Sequence, residues 1–477
     1  MHRSTAPEHP APPQATAARN ASPWLMPVIA LVQLMLILDI TVANVALPDL
    51  AAELALGPGL TPWVVTAYVL ALGGFLLVGG RVSDVVGSRR VLLLGLAAFT
   101  VASAVAATAQ SGPALVAARA AQGLSAAFVS PSALATLTTA YTGAARHRAL
   151  VVCGAIGGAG VSVGVIVGGL LVSGPGWRWI FLINLPIGVL VMAGVARLVP
   201  ARQEAPDAST RRVDLLGGLL VTAATGALIY ALTRIGQDRS VTAVGVAFLA
   251  VAGLGYAAFL AHQRRTQDPL VDPRLLRTPR VATGALIMLA SSAILVGLFF
   301  VLSFYDQRGL GWSALQTGLS FLPLAAGTVV GAHLGSTAVR AHGPRAVAPV
   351  AFAVAAVGLG LAAWQVDSTP LLLVATGLTA VGLGAGFVTA TTTALGDADE
   401  GRAGVVSGIV NTAHELGAAV GVAALSGIVT ASAATALADS VVAGLVGLAV
   451  TALVIAVIGA LAIPAGRPAE GVAVRLH

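Results

Sequence analysis

The chain has 477 residues, 57% of them hydrophobic and only 9% charged, with 26 basic residues against 19 acidic ones and a net charge of +7. A water-soluble chain carries about 25% charged residues, so this composition excludes a soluble globular protein and makes lipid the solvent for most of the sequence. The basic residues are all arginines scattered over loops, which argues against nucleic-acid binding, and the single cysteine, Cys153, sits inside an apolar run, which excludes disulfides and cysteine-based metal sites.

Residues 1–23 are rich in Pro, Ala and Thr and lack the basic, apolar and cleavable order of a signal peptide; they read as a disordered cytoplasmic tail. Apolar stretches follow at 24–48, 62–79, 91–110, 113–140, 149–173, 179–199, 214–233, 241–261, 281–305, 315–338, 346–365, 370–395, 405–431 and 439–463. Each is close to the ~20 residues a spanning helix needs. The expectation is an all-α integral membrane protein of about 14 transmembrane helices, closed by a cytoplasmic tail at 464–477. The loops alternate in charge. Those after the even-numbered spans hold Arg81, Arg89, Arg90, Arg146, Arg148, Arg197, Arg202, Arg264, Arg265, Arg340, Arg345 and Arg402 among others, whereas the opposite side holds only Arg178, Arg234, Arg239 and Arg308. By the positive-inside rule both termini are expected in the cytoplasm.

Two internal echoes point to duplication. Gly80, Asp84, Gly87 and Arg89 after the second span recur at identical spacing as Ser336, Arg340, Gly343 and Arg345 after the tenth. Arg148-Ala149 with Gly154, entering the fifth span, recur as Arg402-Ala403 with Gly408, entering the thirteenth. Both echoes place the second copy eight spans after the first. Residues 24–199 then form one six-helix bundle, 281–463 a second, and 200–280 an inserted helix pair with its loops. Such repeats mark alternating-access transporters, with substrate bound where the halves meet.

Three ionisable residues lie deep inside spans, where a charge is costly and by default functional. Asp39 sits in LDITVANVALP and Arg119 in LVAARAAQGLSAA. At 1.5 Å per residue they stand about 12 Å and about 9 Å from the outer ends of their predicted helices, so an ion pair or a shared water network is open to them. Structural alternatives are a packing carboxylate satisfied by a neighbour and an arginine that only bonds helices together. Glu415, in NTAHELGAAVG, lies about 20 Å in from Arg402 and near the midplane. It can carry a proton, contact a cationic substrate, or be a carboxyl bonded to His414 or a neighbouring helix. His333 reads as a satisfied packing residue and Asp306 as a solvated helix terminus. Asn44, Gln122, Asn411 and His414 are the polar candidates to line a substrate cavity. No lysine exists to complete a phosphate-binding loop, and no metal-spaced His/Cys cluster is present, so neither an enzyme nor an ATP-driven pump is expected.

The motifs together resemble the major facilitator superfamily, in particular the fourteen-spanner drug:proton antiporters, over the length from the first span to the last. The resemblance rests on LDITVANVALP, on GRVSDVVGSRRV at 80–91, on Arg119, Gln122 and Gly123, on GAIGGAGVSVGVIVGG at 154–169 and on WRWIFLINLPIG at 177–188. It implies two bundles rocking about a central site, with Asp39 and Arg119 in proton coupling and no cofactor; Glu415 joins them as a proton-coupling candidate on its midplane depth, not on the resemblance. Gly80, Asp84, Gly87, Arg89 and Arg90 would form a conformational latch, Asp84 capping the next helix or pairing across the seam. Gly154, Gly157, Gly160, Gly164, Gly168 and Gly169 would form the antiporter motif. Trp177 and Trp179 would suit an interfacial aromatic belt. The sequence departs from the family at Val85 and Ser88, where basic residues are usual, at Val165, where proline is common, and at His414-Glu415, where an Arg or Gln pair is frequent. The resulting expectation is a monomeric plasma-membrane exporter of small amphipathic organic molecules driven by protons. The alternatives are an importer or uniporter of the same superfamily and, from another class, a non-transporting receptor or scaffold.

Overall fold

The computed structural model describes residues 22, 24–57, 59–141, 145, 149, 160, 163–200, 213–238, 242–267, 269–396, 400–430 and 437–464. Apart from caps and turns these are helical: α1 Leu25–Glu53, α2 Trp63–Val86, α3 Ser88–Ala107, α4 Gly112–Ala140, α5 Val163–Ser173, α6 Trp179–Leu182, α7 Asn184–Leu198, α8 Leu215–Asp238 and α9 Ala243–Arg265. The short α10 Pro273–Leu276 leads to α11 Pro279–Phe304, α12 Ala314–Ser320, α13 Leu322–His342, α14 Pro344–Trp364, α15 Thr369–Leu395, α16 Glu400–Thr430 and α17 Leu437–Ala462. Twelve described helices, several of them counted as continuous pairs such as 314–342, are long and apolar enough to cross a membrane. The expected number was about fourteen. The two not among the twelve are α4, 29 residues long but diluted by Arg119, Gln122 and small residues, and α5, described over only eleven residues. Gly154, Gly157 and Arg148 lie outside the described residues.

Helices α1 to α4 pack with one another and with α7, and α11 to α17 pack with one another. The pair α8–α9 lies beside both groups, α8 touching α2 and α16. Its start is pinned by Asp214, which accepts from the Gly217 N–H at 2.8 Å and Gln263 Nε2 at 2.6 Å and bonds His262 Nε2 at 2.8 Å. Burial alone would push the Asp214 carboxyl up, but these bonds outweigh it and hold the carboxyl below its usual range.

Close helix contact is made through small residues, as membrane helices require. A Cβ on Gly123 of α4 would stand 2.1 Å from the Tyr68 carbonyl oxygen of α2, and one on Gly79 of α2 would stand 2.1 Å from that of Ala127. Gly79, rather than the motif residue Gly80, is the close approach; Gly80 has only an ordinary contact with Pro131. Three motif glycines of the fifth span, Gly160, Gly164 and Gly168, face Ile37, Thr41 and Val42 of α1.

The first echo is real in three dimensions. Gly87 and Gly343 both hold positive φ, 100° and 81°, each ending one helix and starting the next. Arg89 Nη2 donates to the Ala196 carbonyl at 2.8 Å, and Arg345 Nε donates to that of Ala460 at 3.2 Å. Each arginine thus anchors the third helix of its half to the sixth. Helix α2 runs seven residues past its predicted end, so Gly80 and Asp84 occupy its last turns, not a loop. Nothing breaks the helix until Gly87, whose positive φ lets α3 start directly from it.

Candidate functional site

Helix α1 continues through Pro48 to Glu53, placing Asp39 about 21 Å from its end, deeper than its predicted boundary implied. The Gly123 contact holds α4 against α2, so that Arg119, one turn earlier, reaches the backbone of α2. Arg119 Nε donates to the Val64 carbonyl at 2.9 Å and Nη1 pairs with Asp39 Oδ2. Asp39 is 3% exposed and Arg119 is wholly buried. The second carboxylate oxygen, Asp39 Oδ1, accepts from Gln122 Nε2 at 3.1 Å and from Asn184 Nδ2 at 2.8 Å. Gln122 also donates to Ser103 Oγ at 2.8 Å and accepts from Arg119 at 3.1 Å. Five helices therefore converge on one ion pair. Three donors thus hold the Asp39 carboxylate, Arg119 on Oδ2 and Gln122 and Asn184 on Oδ1, and a proton reaching Oδ2 has to displace the guanidinium.

Two aromatic faces complete the enclosure. The Arg119 guanidinium lies 4.3 Å from the Tyr68 ring centroid and 5.7 Å from that of Phe181. The Tyr68 hydroxyl is buried without a hydrogen-bond partner, within electrostatic reach of Asp39, Arg119 and Glu415. Tyr68, Ser103 and Asn184 escaped the reading of the sequence; a tyrosine, a serine and an asparagine in apolar spans carry no signal until a partner at the same depth is known. A cation–π contact of this kind is worth roughly 0.5–2 kcal/mol. Tyr68→Leu is accordingly expected to lower thermal stability, while Tyr68→Phe, which keeps the ring, stays near wild type in a melting curve. Equal effects of the two would assign the residue to bulk packing.

Glu415 and His414 lie on α16, opposite α2. The Glu415 Cβ is 2.8 Å from the position a Cβ would take on Gly73, and the His414 ring centroid is 5.5 Å from that of Phe387 on α15. Both side chains are surrounded by protein and half-buried. Glu415 makes no hydrogen bond or ion pair among the described residues, so the alternative of a carboxyl satisfied by His414 is not what the structure contains.

The remaining candidates divide. Asn411 is exposed, whereas Gln122, expected in the substrate cavity, is wholly buried against Asp39. Asn44 is also buried, its amide donating to the Ile40 carbonyl at 2.9 Å. Trp177 is not a belt residue: it is buried and its indole N–H donates to Glu53 at 2.7 Å, with Arg178 paired to the same carboxylate. Trp179 is exposed. His333, expected to be packed, is exposed. Asp306, expected to be solvated, is 1% exposed because α11 winds on past Phe304 as π-helix instead of ending in a loop.

At the arginine-poor end the two halves are in contact. Gln307 Nε2 donates to the Val45 carbonyl of α1 at 2.9 Å, and the Leu315 N–H donates to Ser173 Oγ of α5 at 3.2 Å. A Cβ on Gly318 would meet the Val165 carbonyl oxygen at 2.7 Å, and one on Gly169 the Leu315 Cα at 2.7 Å. A valine at 165 serves this seam through its backbone, which a proline could equally supply.

Comparison with known proteins agrees with this architecture. Residues 29–422 match the family model for the Major Facilitator Superfamily. Among similar chains, the puromycin resistance protein pur8 of Streptomyces alboniger is 36% identical over 439 residues, covering 90% of this chain and 86% of that one. The cephamycin export protein CmcT of Amycolatopsis lactamdurans is 35% identical, with 89% of each chain covered. The lincomycin resistance protein of Streptomyces lincolnensis is 35% identical over 85% of this chain and 84% of its own. Of solved structures, a bacterial homologue of the human lysosomal transporter Spinster, in an inward-facing and occupied conformation, superposes with a TM-score of 0.63 at 15% identity, covering 94% of this chain and 96% of its own. Twelve described helices long and apolar enough to span, a buried ion pair on which five helices converge, and a family match over most of the length agree: this multi-pass membrane protein is a member of the major facilitator superfamily.

Proposed function

We propose that the protein is a proton-coupled exporter of small amphipathic organic molecules, of the kind represented by the antibiotics in its relatives' names. It works as a monomer in the plasma membrane, with the arginine-rich end and both termini in the cytoplasm. The bundles 24–199 and 281–463 rock about the seam, and 200–280 is the inserted pair beside it. The observation that carries this reading is the Asp39–Arg119 pair, fully enclosed and cross-linked to Gln122 and Asn184. A proton that neutralises Asp39 frees Arg119, and a freed buried cation must find a new partner. Proton occupancy is thereby tied to helix position. Proton and substrate then favour opposite arrangements, as differential affinity requires. Glu415 and His414, half-exposed at the seam, supply polar contact to the cargo.

Everted membrane vesicles with an acidified lumen test the reading. Adding an amphipathic substrate such as puromycin should release luminal protons, seen as recovery of a pH-sensitive dye, and should load the substrate into the lumen. Substrate movement that ignores a collapsed proton gradient would instead mark a uniporter.

A further inference from the structure

Helix α11 closes with a turn of π-helix, Tyr305–Gly309, a form that often marks functional sites. Its second residue, Asp306, is almost completely buried beside a phenylalanine-rich layer in which Phe299 stacks on Phe321 and Phe300 on Phe304. Oδ1 is buried without any partner. Oδ2 receives the hydroxyl of Ser320, the last residue of α12, at 2.7 Å. Other ionisable groups at this end are engaged elsewhere or turned away. Arg308 lies over the Phe304 ring at 4.8 Å, and the Tyr305 hydroxyl bonds the Val366 carbonyl and Asp367, both at 3.2 Å. Glu53 pairs with Arg178, while Asp49 of α1 and Asp439 of α17 are exposed. Helix α12 carries no titratable side chain, and α11 only Arg280, at its opposite end. Among the described residues no cation pairs with Asp306.

The hydrogen count at Ser320 is informative. Its Oγ is 2.7 Å from Asp306 Oδ2 and 2.8 Å from the Thr317 carbonyl oxygen. One hydroxyl hydrogen serves both acceptors only as a weakened bifurcated bond. Both contacts are satisfied when Asp306 carries a proton on Oδ2 and donates it to Ser320, leaving Ser320 to donate to Thr317. The position of this pair matters equally. Gln307, next to Asp306, bonds α1 across the seam, and α12, which ends at Ser320, packs on α5 through Leu315 and Gly318. The Asp306–Ser320 bond thus joins the two elements that seal the arginine-poor end.

We propose that Asp306 is a proton-binding site that controls this seal: with a proton the seam closes, and loss of the proton favours an open seam in which water solvates the carboxylate. The inference rests on the alternating-access export proposed above. It differs from the part given to Asp39 because Asp306 answers to the pH on its own side and carries nothing across. Acid outside therefore favours return to the sealed arrangement, and alkali retards it.

The test uses the full-length chain with Cys153→Ser, carrying nitroxide labels at Ala52→Cys and Ser368→Cys, one in each half at the arginine-poor end, in lipid nanodiscs. Double electron–electron resonance should show the long-distance population growing as pH is raised. Asp306→Asn, which copies the protonated shape, should remain closed at every pH, and Asp306→Leu should likewise lose the response. Size-exclusion profiles and helix melting of both variants establish that they are folded. A parent chain with no pH response, or an Asp306→Asn chain that keeps it, overturns the inference. The label distances are read without substrate. Drug-evoked proton release with an unaltered Asp306→Asn response therefore sinks the gate alone, whereas an Asp306-dependent seam without proton release sinks the export reading alone.

Discussion

Replacing Asp39 by asparagine is expected to abolish concentrative export while leaving a chain that still inserts. The amide keeps the shape of the carboxyl but removes the only anion that pairs with Arg119 among the described residues. Breaking a buried pair from one side costs about 3–5 kcal/mol, because the surviving charge is left uncompensated. Part of that cost is expected as a lower melting temperature. The functional loss is distinct: the proton has no site, so the substrate gradient should fall at least about tenfold, the equivalent of about 1.4 kcal/mol, toward simple equilibration. The double variant Asp39→Asn/Arg119→Gln separates the two effects. Removing both charges restores stability toward wild type, as replacement of whole buried pairs commonly does, but cannot restore coupling. Melting curves and drug-evoked proton release in wild type, Asp39→Asn, Arg119→Gln and the double variant form a double-mutant cycle. Wild-type proton release in Asp39→Asn vesicles would refute the coupling role.

Glu415→Gln should change what is exported rather than whether export occurs. Glu415 is half-exposed, without an ion pair, and faces α2 at Gly73. A cation about 4 Å from a carboxylate gains about 4 kcal/mol at an effective dielectric of about 20, much of it offset by desolvation of both charges. A net loss of about 1.4 kcal/mol, or tenfold in apparent affinity, is expected for a cationic amphiphile such as tetraphenylphosphonium. An uncharged substrate of similar size should be exported as before. Competition assays with the two probes in one vesicle preparation measure the difference. An equal loss for both would place Glu415 in coupling or in packing, and not in cargo recognition.

The helical class and the approximate places of the spans were legible in the sequence, because hydrocarbon leaves the backbone no alternative to internal hydrogen bonds. Positive-φ glycines 87 and 343 with Arg89 and Arg345 repeat in both, since the same turn chemistry gives the same local geometry twice. The meeting of Asp39 with Arg119 was suggested by depth alone. Their companions were not. Gln122, polar in an apolar span, reads as a cavity residue but is buried in the pair, Asn184 and Tyr68 carry no sequence signal, and Trp177, at a span end, reads as a boundary residue but holds Glu53. An acid at the end of an apolar run normally marks water, so Asp306 reads as a solvated terminus; a π-turn that carries it inward has no sequence pattern of its own. The physical reason is common to all of these. In water an amphipathic stripe tells which face of a helix turns inward, but in lipid both faces are apolar and no stripe is written. Composition therefore determined that this chain crosses the membrane, and roughly where. Only the close approaches at Gly79, Gly123 and Gly164, which set the rotation of each helix about its axis, decided which polar side chains meet.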